Sequence, residues 1–297
     1  MNTSKHAFLI GCYKNPDYLE EFIDSLDGPR SKFYIHVNKE NTAEFENLRQ
    51  RLKNRTNIIF VPSIKVIWGG MTLLLSLRIM LNEALKDDEN NFFHFLTGQD
   101  ALVRSLDDLY VFFDEKSNSN FVSVKKGYDP IKDPNTKELD CIQYHHTFDW
   151  FDNRNSFLYR VIEKLFVILQ KVFSVKRKLP HKCIYKGAGW FSINRRAAVV
   201  LMQSMNDERE ISKWKNCFAT EEFFIPTILY NSSDELNLVN DSLRYVDWIK
   251  GPGPYPSVLD ESFYNDIINS KNFFCRKVEP GRSDLLLRLL ASNRDHK

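Results

Sequence analysis

The sequence lacks several motifs that define common enzyme classes. It has no glycine-rich phosphate loop of the P-loop type, and no GxGxxG motif follows the first predicted strand. These absences argue against a nucleoside triphosphatase and against a dinucleotide-dependent dehydrogenase. Neither GxSxG nor HExxH occurs, so the corresponding serine hydrolases and zinc peptidases are not indicated either.

Cysteine, net charge and long apolar runs are also scarce. The five cysteines are odd in number, widely spaced and without a CxxC pair, so neither a disulfide framework nor a zinc site is expected. The net charge of +2 gives no global attraction to nucleic acid. The apolar run near the N-terminus is too short for a signal peptide or a membrane anchor, and we expect a cytoplasmic protein.

Short apolar strands alternate with helical patterns over roughly the first 125 residues. The predicted strands begin with Lys5–Cys12 and Lys32–Asn38, and a strongly apolar helix is predicted over Met71–Leu85. This alternation predicts an α/β fold whose central, mostly parallel sheet is flanked by helices. Ligands bind such sheets at the carboxyl ends of strands, which here include Gly98-Gln99-Asp100.

The stretch 217–232 combines a carboxylate pair with a buried apolar run. Glu221 and Glu222 precede residues that form either a helix or a strand, and Thr220 is placed to cap a helix. Two interpretations stand beside each other. The acids stabilise the positive end of a helix dipole, or Glu222 faces a cleft as a general base.

Two aromatic or histidine-rich features lie in the middle of the chain. His145-His146 resembles a metal-binding pair, but structural or solvent-facing histidines are favoured because neighbours on a strand point to opposite faces. The polar, aromatic stretch 125–155 is typical either of a loop that lines a substrate site or of a surface excursion held by its own aromatics.

Ser156–Lys178 shows clean helical periodicity, with six basic residues and one acidic residue. Its longest unbroken apolar run is too short to cross a bilayer. The helix either packs on the core or lies on a membrane surface, with its basic residues near anionic lipid.

Two later stretches carry further candidate site residues. The predicted strand over Lys182–Asn194 contains Gly187 and Gly189, which indicate a bulge or the close approach of a ligand, and Trp190 follows. Near the C-terminus, the pair Arg276-Lys277 ends a short apolar run and is either a solvated basic pair or a phosphate site.

Seven motifs in one order resemble the core-2/I-branching family of inverting glycosyltransferases, which includes β-1,6-N-acetylglucosaminyltransferases and peptide O-xylosyltransferases. They are YIHVNK, WGG, FLTGQD, GAGWFSINR, ATEEFF, LRYVDW and FFCRKVE. The resemblance implies a GT-A-like fold in one catalytic domain over residues 1–297. A nucleotide-binding half then covers about 1–125, and an acceptor half with the diphosphate-binding C-terminus covers about 126–297.

The resemblance also assigns roles by position. Glu222 matches the family's catalytic base, and Glu221 is its structural or acceptor-contacting neighbour. Arg276 and Lys277 match the residues that hold the nucleotide diphosphate. Asn38 stands where the family has an acidic residue near the nucleoside, which is a departure from its pattern. The other implied contacts are Trp68, Gly98 and Asp100 for the nucleotide sugar and Trp190 and Trp248 for the acceptor.

No two aspartates stand two residues apart, so the Asp-x-Asp metal motif of many nucleotide-sugar transferases is absent. We therefore expect no divalent metal and no cofactor, with Arg276 and Lys277 neutralising the leaving diphosphate. The expected reaction moves a sugar, N-acetylglucosamine first, from a UDP-sugar to a glycan hydroxyl with inversion. A UDP-xylose-type transferase and a non-catalytic carbohydrate-binding module are the alternatives.

The expected partners follow from the same resemblance. They are a UDP-sugar and a glycan acceptor, which is lipid-linked in one reading, and they do not include nucleic acid. The sequence resembles a bacterial-type member that makes a surface polysaccharide or glycoconjugate, with peripheral membrane contact through 156–178 on the inner face of the membrane.

Overall fold

The computed structural model describes residues 4–129, 132, 136–153, 156–249 and 255–295. The sequence GPGPYP at 251–256 is typical of a rigid turn, and most of it lies outside these residues. The strands are β1 (Lys5–Cys12), β2 (Ser31–Val37), β3 (Ile58–Phe60), β4 (Asn90–Thr97), β5 (Asp100–Leu102), β6 (Ser119–Tyr128), β7 (Ile184–Asn194), β8 (Asn237–Val239), β9 (Arg244–Val246) and β10 (Phe274–Arg276).

The α-helices alternate with these strands through the first half of the chain. They are α1 (Pro16–Ser25), α2 (Glu46–Leu52), α3 (Thr72–Leu85), α4 (Leu106–Glu115), α5 (Asp140–Gln143), α6 (Phe157–Val172), α7 (Arg195–Asn206), α8 (Glu208–Ser212), α9 (Thr220–Asn231), α10 (Tyr264–Asn269) and α11 (Asp284–Asp295). Short 3-10 helices cover Lys39–Asn41, Lys137–Leu139 and Glu261–Phe263. In the described ranges, no helix is long and apolar enough to cross a membrane.

The central sheet has seven strands in the order β3-β2-β1-β4-β7-β6-β8. Every neighbouring pair is parallel except the two that involve β7, which runs antiparallel to β4 and β6. The predicted α/β fold with a mostly parallel central sheet is therefore confirmed. A second sheet, β5-β10-β9, was not predicted, because each of its strands has only three residues.

Helices cover both faces of the central sheet, which explains why β1 is apolar without alternation from Ala7 to Ile10. Ala7 and Leu9 point into a core with α3, α7 and α9, whereas Phe8 and Ile10 point into a core with α1, α4 and α11. An alternating strand would have left one of these two layers polar.

The two glycines of β7 serve different neighbours. A Cβ on Gly187 would lie 1.9 Å from the Ser123 carbonyl oxygen, at an irregularity in the pairing of β6 with β7. The bulge interpretation is therefore confirmed for Gly187. A Cβ on Gly189 would lie 2.9 Å from Cγ of Glu221, so this glycine lets α9 approach the strand closely.

A buried arginine joins the small sheet to the central one. Arg244, at the start of β9, donates hydrogen bonds to the carbonyl oxygens of Phe95 (3.0 Å) and Phe191 (2.7 Å) and to Ser192 Oγ (2.9 Å). Burial lowers the pKa of Arg244 to about 9. These bonds fix β9, and with it the paired strand β10, against the ends of β4 and β7.

Candidate active site

The carboxylate pair lies in the first turn of α9. The apolar run that follows it forms a helix rather than a strand, even with Pro226 inside it. The prediction that Thr220 caps this helix is wrong. Thr220 is the first helical residue and its buried hydroxyl has no hydrogen-bond partner, while Ala219 occupies the N-cap position in a left-handed conformation with φ 52°.

The two carboxylates have different surroundings. The Glu221 side chain packs against Gly189, and its Oε2 atom is buried without a hydrogen-bond partner. Burial, with the neighbouring charge of Glu222, raises the pKa of Glu221 to about 8. Oε2 of Glu222 lies 4.0 Å from Lys186 Nζ. Burial also raises the pKa of Glu222, and the charge of Lys186 opposes that shift.

Backbone and carboxylate contacts tie the Trp68-Gly69-Gly70 turn to the start of α9. The Ala219 amide donates to the Gly69 carbonyl oxygen at 2.8 Å. Asp149 accepts at 2.6 Å from the amides of both Met71 and Asn216. Asp149 was not predicted, because a single aspartate inside a predicted loop carries no pattern that distinguishes it from a solvated one.

A cavity of about 420 Å³ opens beside this turn. The Trp68 ring lines it and contacts the rings of Phe218 (5.5 Å between centroids) and Tyr255 (5.8 Å). Lys277 provides a cationic side chain in the wall. The lining residues are Trp68, Phe148, Asn153, Arg160, Tyr255 and Lys277, and they do not include Glu221 or Glu222.

Arg276 lies behind Lys277 and is only 7% exposed. Its Cζ atom is 3.6 Å from the ring centroid of Trp190, and its Nη1 atom is 3.1 Å from Oδ1 of Asp100. Burial lowers the pKa of Arg276, and Asp100 opposes that shift. The Nε atom is buried without a hydrogen-bond partner and is chemically suited to an anionic oxygen, whereas Nη1 is engaged in the ionic contact with Asp100.

Arg276 and the carboxylate pair meet at one segment of β7. Trp190 stacks on Arg276, and the preceding residue, Gly189, packs against Glu221. Arg276, at the end of β10, and Glu221, in α9, therefore contact two consecutive residues of β7. This adjacency required the pairing of β10 with β5 and β9, which the sequence did not predict.

The residues implied at the nucleotide edge are mostly engaged in holding the backbone. Asp100 is fully buried and accepts from the Thr97 amide at 2.8 Å, so it acts on a ligand only through Arg276. Asn38 follows β2 and its Oδ1 accepts from the Val66 amide at 2.9 Å. The Gly98 amide donates to the Gly11 carbonyl oxygen at 3.0 Å. Asn38, Gly98 and Asp100 thus form hydrogen bonds that hold the backbone at the ends of the strands.

The two tryptophans implied on the acceptor side differ in their surroundings. One face of the Trp190 ring is taken by Arg276, which leaves less of it for stacking on a sugar than the sequence suggested. Trp248 follows β9 and is 51% exposed. Trp248 is thus the more open of the two aromatic surfaces.

The histidine pair has a structural role. His146 is buried, with Nδ1 2.6 Å from Oε1 of Glu163 and Nε2 2.9 Å from the Asp140 carbonyl oxygen. Both ring nitrogens of His146 therefore contact protein atoms, as the structural interpretation expects. Among the described residues, no three His, Cys, Asp or Glu side chains converge as metal ligands do. The absence of a metal from the reaction stays a prediction.

Replacing Glu221 with glutamine should stabilise the fold at alkaline pH. Because the folded state raises the Glu221 pKa from 4.5 to about 8, the protonated form's contribution to stability is complete below pH 4.5 and is lost as the pH rises through 8. Between pH 5 and pH 9, the wild type should lose about 2 to 4 kcal/mol of unfolding free energy relative to Glu221→Gln. Urea denaturation at both pH values measures this, with Glu235→Gln as the exposed control. An equal difference at both pH values would contradict the assigned burial.

Comparisons with known proteins place the chain in a family. The family model "Core-2/I-Branching enzyme" matches residues 6–268. Xylosyltransferase 2 of Mus musculus is 22% identical over 281 residues, which cover 87% of this chain and 30% of that protein. Xylosyltransferase sqv-6 of Caenorhabditis briggsae is 22% identical over 249 residues, which cover 81% of this chain and 28% of that protein. The chain thus spans less than a third of the length of either relative.

Among solved structures, 4-diphosphocytidyl-2C-methyl-D-erythritolsynthase from Anaerococcus prevotii matches over 80% of this chain and 87% of that chain. The match has a TM-score of 0.37 and 11% identity. The family match covers most of the sequence and contains the carboxylate pair and both glycines of β7. The chain belongs to the Core-2/I-branching enzyme family, a family of glycosyltransferases.

Proposed function

We propose that the protein is an inverting, metal-independent glycosyltransferase that moves a sugar from a UDP-sugar to a hydroxyl of a glycan acceptor. The observation that carries this proposal is that a buried cation and a carboxylate contact two consecutive residues of β7. The buried guanidinium of Arg276 stacks on Trp190, and the carboxylate of Glu221 packs against Gly189. A leaving anion and an incoming alcohol need these two kinds of side chain close together.

Glu222 is the general base of the proposed reaction. Its carboxylate accepts the proton of the acceptor hydroxyl while that oxygen forms a bond to the anomeric carbon of the donor. The bond from the anomeric carbon to the diphosphate breaks, and its electron pair stays on the phosphate oxygen. Because attack and departure occur on opposite faces, the configuration inverts and no second carboxylate is needed as a nucleophile. The raised pKa of Glu222 suits a group that must take up a proton.

Lys277 and Arg276 stabilise the negative charge that develops on the leaving diphosphate. Lys277 lines the cavity directly, whereas Arg276 is buried and contributes its charge and its Nε donor. In a partly desolvated site such charges act more strongly than in water. Asp100 keeps the guanidinium oriented, with 3.1 Å between Oδ1 and Nη1. In this proposal Lys277 contacts the leaving diphosphate directly, and Arg276 has a supporting role.

Two donors are compatible with the proposal. N-acetylglucosamine is the first candidate, which the resemblance to the branching enzymes supports. Xylose is the second, and the names of the two distant relatives support it. With either donor sugar, transfer to a glycan acceptor would yield a surface polysaccharide or another glycoconjugate.

Donor turnover in the presence of a chelator tests the proposal. We expect one UDP-sugar of a panel that includes UDP-N-acetylglucosamine and UDP-xylose to release UDP when glycan acceptors are added. The rate should be unchanged in excess EDTA. Donor binding without UDP release from any acceptor would favour a carbohydrate-binding module instead. Loss of activity in EDTA with recovery on adding Mn²⁺ would contradict the metal-independent mechanism.

A further inference from the structure

Helix α6 is oriented with its polar face toward the protein and its apolar face toward solvent. Of its residues, only the polar Gln170 is buried. Its side chain accepts from the His145 amide and donates to the His145 carbonyl oxygen, both at 2.8 Å. About two turns earlier, Glu163 accepts from the amide and the hydroxyl of Thr147, both at 2.7 Å. Polar side chains thus attach the helix to the 145–147 segment.

The opposite face of α6 is apolar and open. Six of its apolar side chains are each more than half exposed, and at 3.6 residues per turn they fall on one side of the helix. They are Phe157, Leu158, Leu165, Ile168, Leu169 and Val172. Phe173 and Val175 extend the surface past the end of the helix. Soluble proteins rarely expose an apolar patch of this kind unless it binds something. Of the two sequence interpretations, packing on the core is therefore wrong for this face.

Basic side chains border the apolar face. Arg160 and Lys164 are exposed along one edge, and Lys178 is exposed just beyond the C-terminal end. On the neighbouring surface, Trp150 is 54% exposed, and its ring centroid is 6.3 Å from that of Phe166. Tryptophan and basic residues beside an apolar helix face are typical of the membrane interface, where they meet headgroups. The core of a protein–protein interface is instead depleted of lysine.

We propose that the apolar face of α6 inserts into the headgroup–acyl boundary of an anionic lipid bilayer. The helix would lie parallel to the membrane, with Leu158 and Leu165 in the acyl region and Arg160 and Lys164 at lipid phosphates. No membrane-spanning segment is needed for this attachment. We assign a lipid surface and not a second protein, because Arg160 and Lys164 border the apolar stripe and would match anionic headgroups.

Docking of α6 also brings the cavity near the bilayer. Arg160 belongs to the helix and lines the cavity that contains Trp68 and Lys277. If the proposed function holds, an acceptor attached to a lipid would reach this cavity without leaving the membrane surface. This consequence rests on the proposed function, whereas the docking itself does not.

Vesicle flotation of the whole chain tests the docking separately from catalysis. We expect the wild type to float with phosphatidylcholine vesicles that contain phosphatidylglycerol, and to float poorly with phosphatidylcholine alone. Leu165→Glu should reduce bound protein about tenfold, because a charge replaces an inserted leucine. Val111→Glu is the matched control on α4, since Val111 is also exposed (58%), and it should float like the wild type. Lys164→Gln combined with Lys178→Gln should weaken binding to the anionic vesicles only.

Several outcomes would overturn the proposal. The first is no flotation of the wild type with anionic vesicles, and the second is equal flotation of Leu165→Glu and the wild type. A third is a wild-type dimer in solution that Leu165→Glu dissociates while neither protein floats, which would assign the face to a second copy of the chain. Each variant changes an exposed side chain. Circular dichroism of each variant should match that of the folded wild type.

Discussion

Replacement of Glu222 by glutamine should abolish turnover while nucleotide binding survives. The amide has nearly the shape of the carboxylate but cannot take the proton from the acceptor hydroxyl, so kcat should fall about 10² to 10⁴-fold. The UDP dissociation constant should stay within about twofold, because Glu222 is assigned to the acceptor and not to the diphosphate. Steady-state kinetics of UDP release and calorimetric titration with UDP measure the two effects.

The control and the pH profile sharpen this prediction. Glu235→Gln makes the same chemical change at a side chain that is 66% exposed, and it should leave kcat unchanged. In the wild type, kcat/KM should rise with pH through the raised pKa of Glu222, because only the ionised carboxylate is a base. Undiminished turnover of Glu222→Gln would remove Glu222 from the base role.

Lys277→Ala should weaken both UDP binding and turnover. Loss of a cation aimed at the developing diphosphate charge costs about 10² to 10³ in kcat when it acts mainly in the transition state. Lys277→Arg should recover part of that loss, since it keeps the charge but changes the shape of the donor group. Arg282→Ala is the matched control, because Arg282 is a nearby basic residue whose side chain is 61% exposed.

Replacement of Arg276 should give a result that differs from that of Lys277→Ala. Arg276→Ala removes a buried side chain from between Trp190 and Asp100, so it should lower both activity and stability. Lys277→Ala should lower activity without a comparable change in thermal stability, because Lys277 lines the cavity wall. Wild-type kcat for Lys277→Ala would contradict the assignment of the leaving-group charge to Lys277.

The sequence predicted the long elements well because their residues carry a strong period. The strand Lys5–Cys12 matches β1 at both ends, and the apolar helix predicted over Met71–Leu85 differs from α3 by one residue. A long helix satisfies most of its own backbone hydrogen bonds, and a strand buried on both faces shows a continuous apolar run, so both can be recognised from local sequence. The small sheet β5-β10-β9 was missed because its strands are short and pair only through distant parts of the chain.

The candidate site was likewise predicted only in part. The carboxylates and the Arg276-Lys277 pair were found by residue type and order, but their relation to each other was not. Sequence spacing could not show that Arg276 stacks on Trp190 or that Asp149 joins the amides of Met71 and Asn216. Nor could periodicity alone decide which face of α6 meets the protein. That choice depends on Glu163 and Gln170 finding partners at 145–147.

A crystal structure of Glu222→Gln with an intact UDP-sugar tests the central claim most directly. The account expects the diphosphate within hydrogen-bonding distance of Lys277 Nζ and of the Arg276 guanidinium, with residue 222 on the opposite face of the anomeric carbon. A second cavity, of about 890 Å³, lies between α1 and α11 and includes Lys14, Arg288 and Arg294. A diphosphate bound in that second cavity, away from Lys277 and Arg276, would contradict the account.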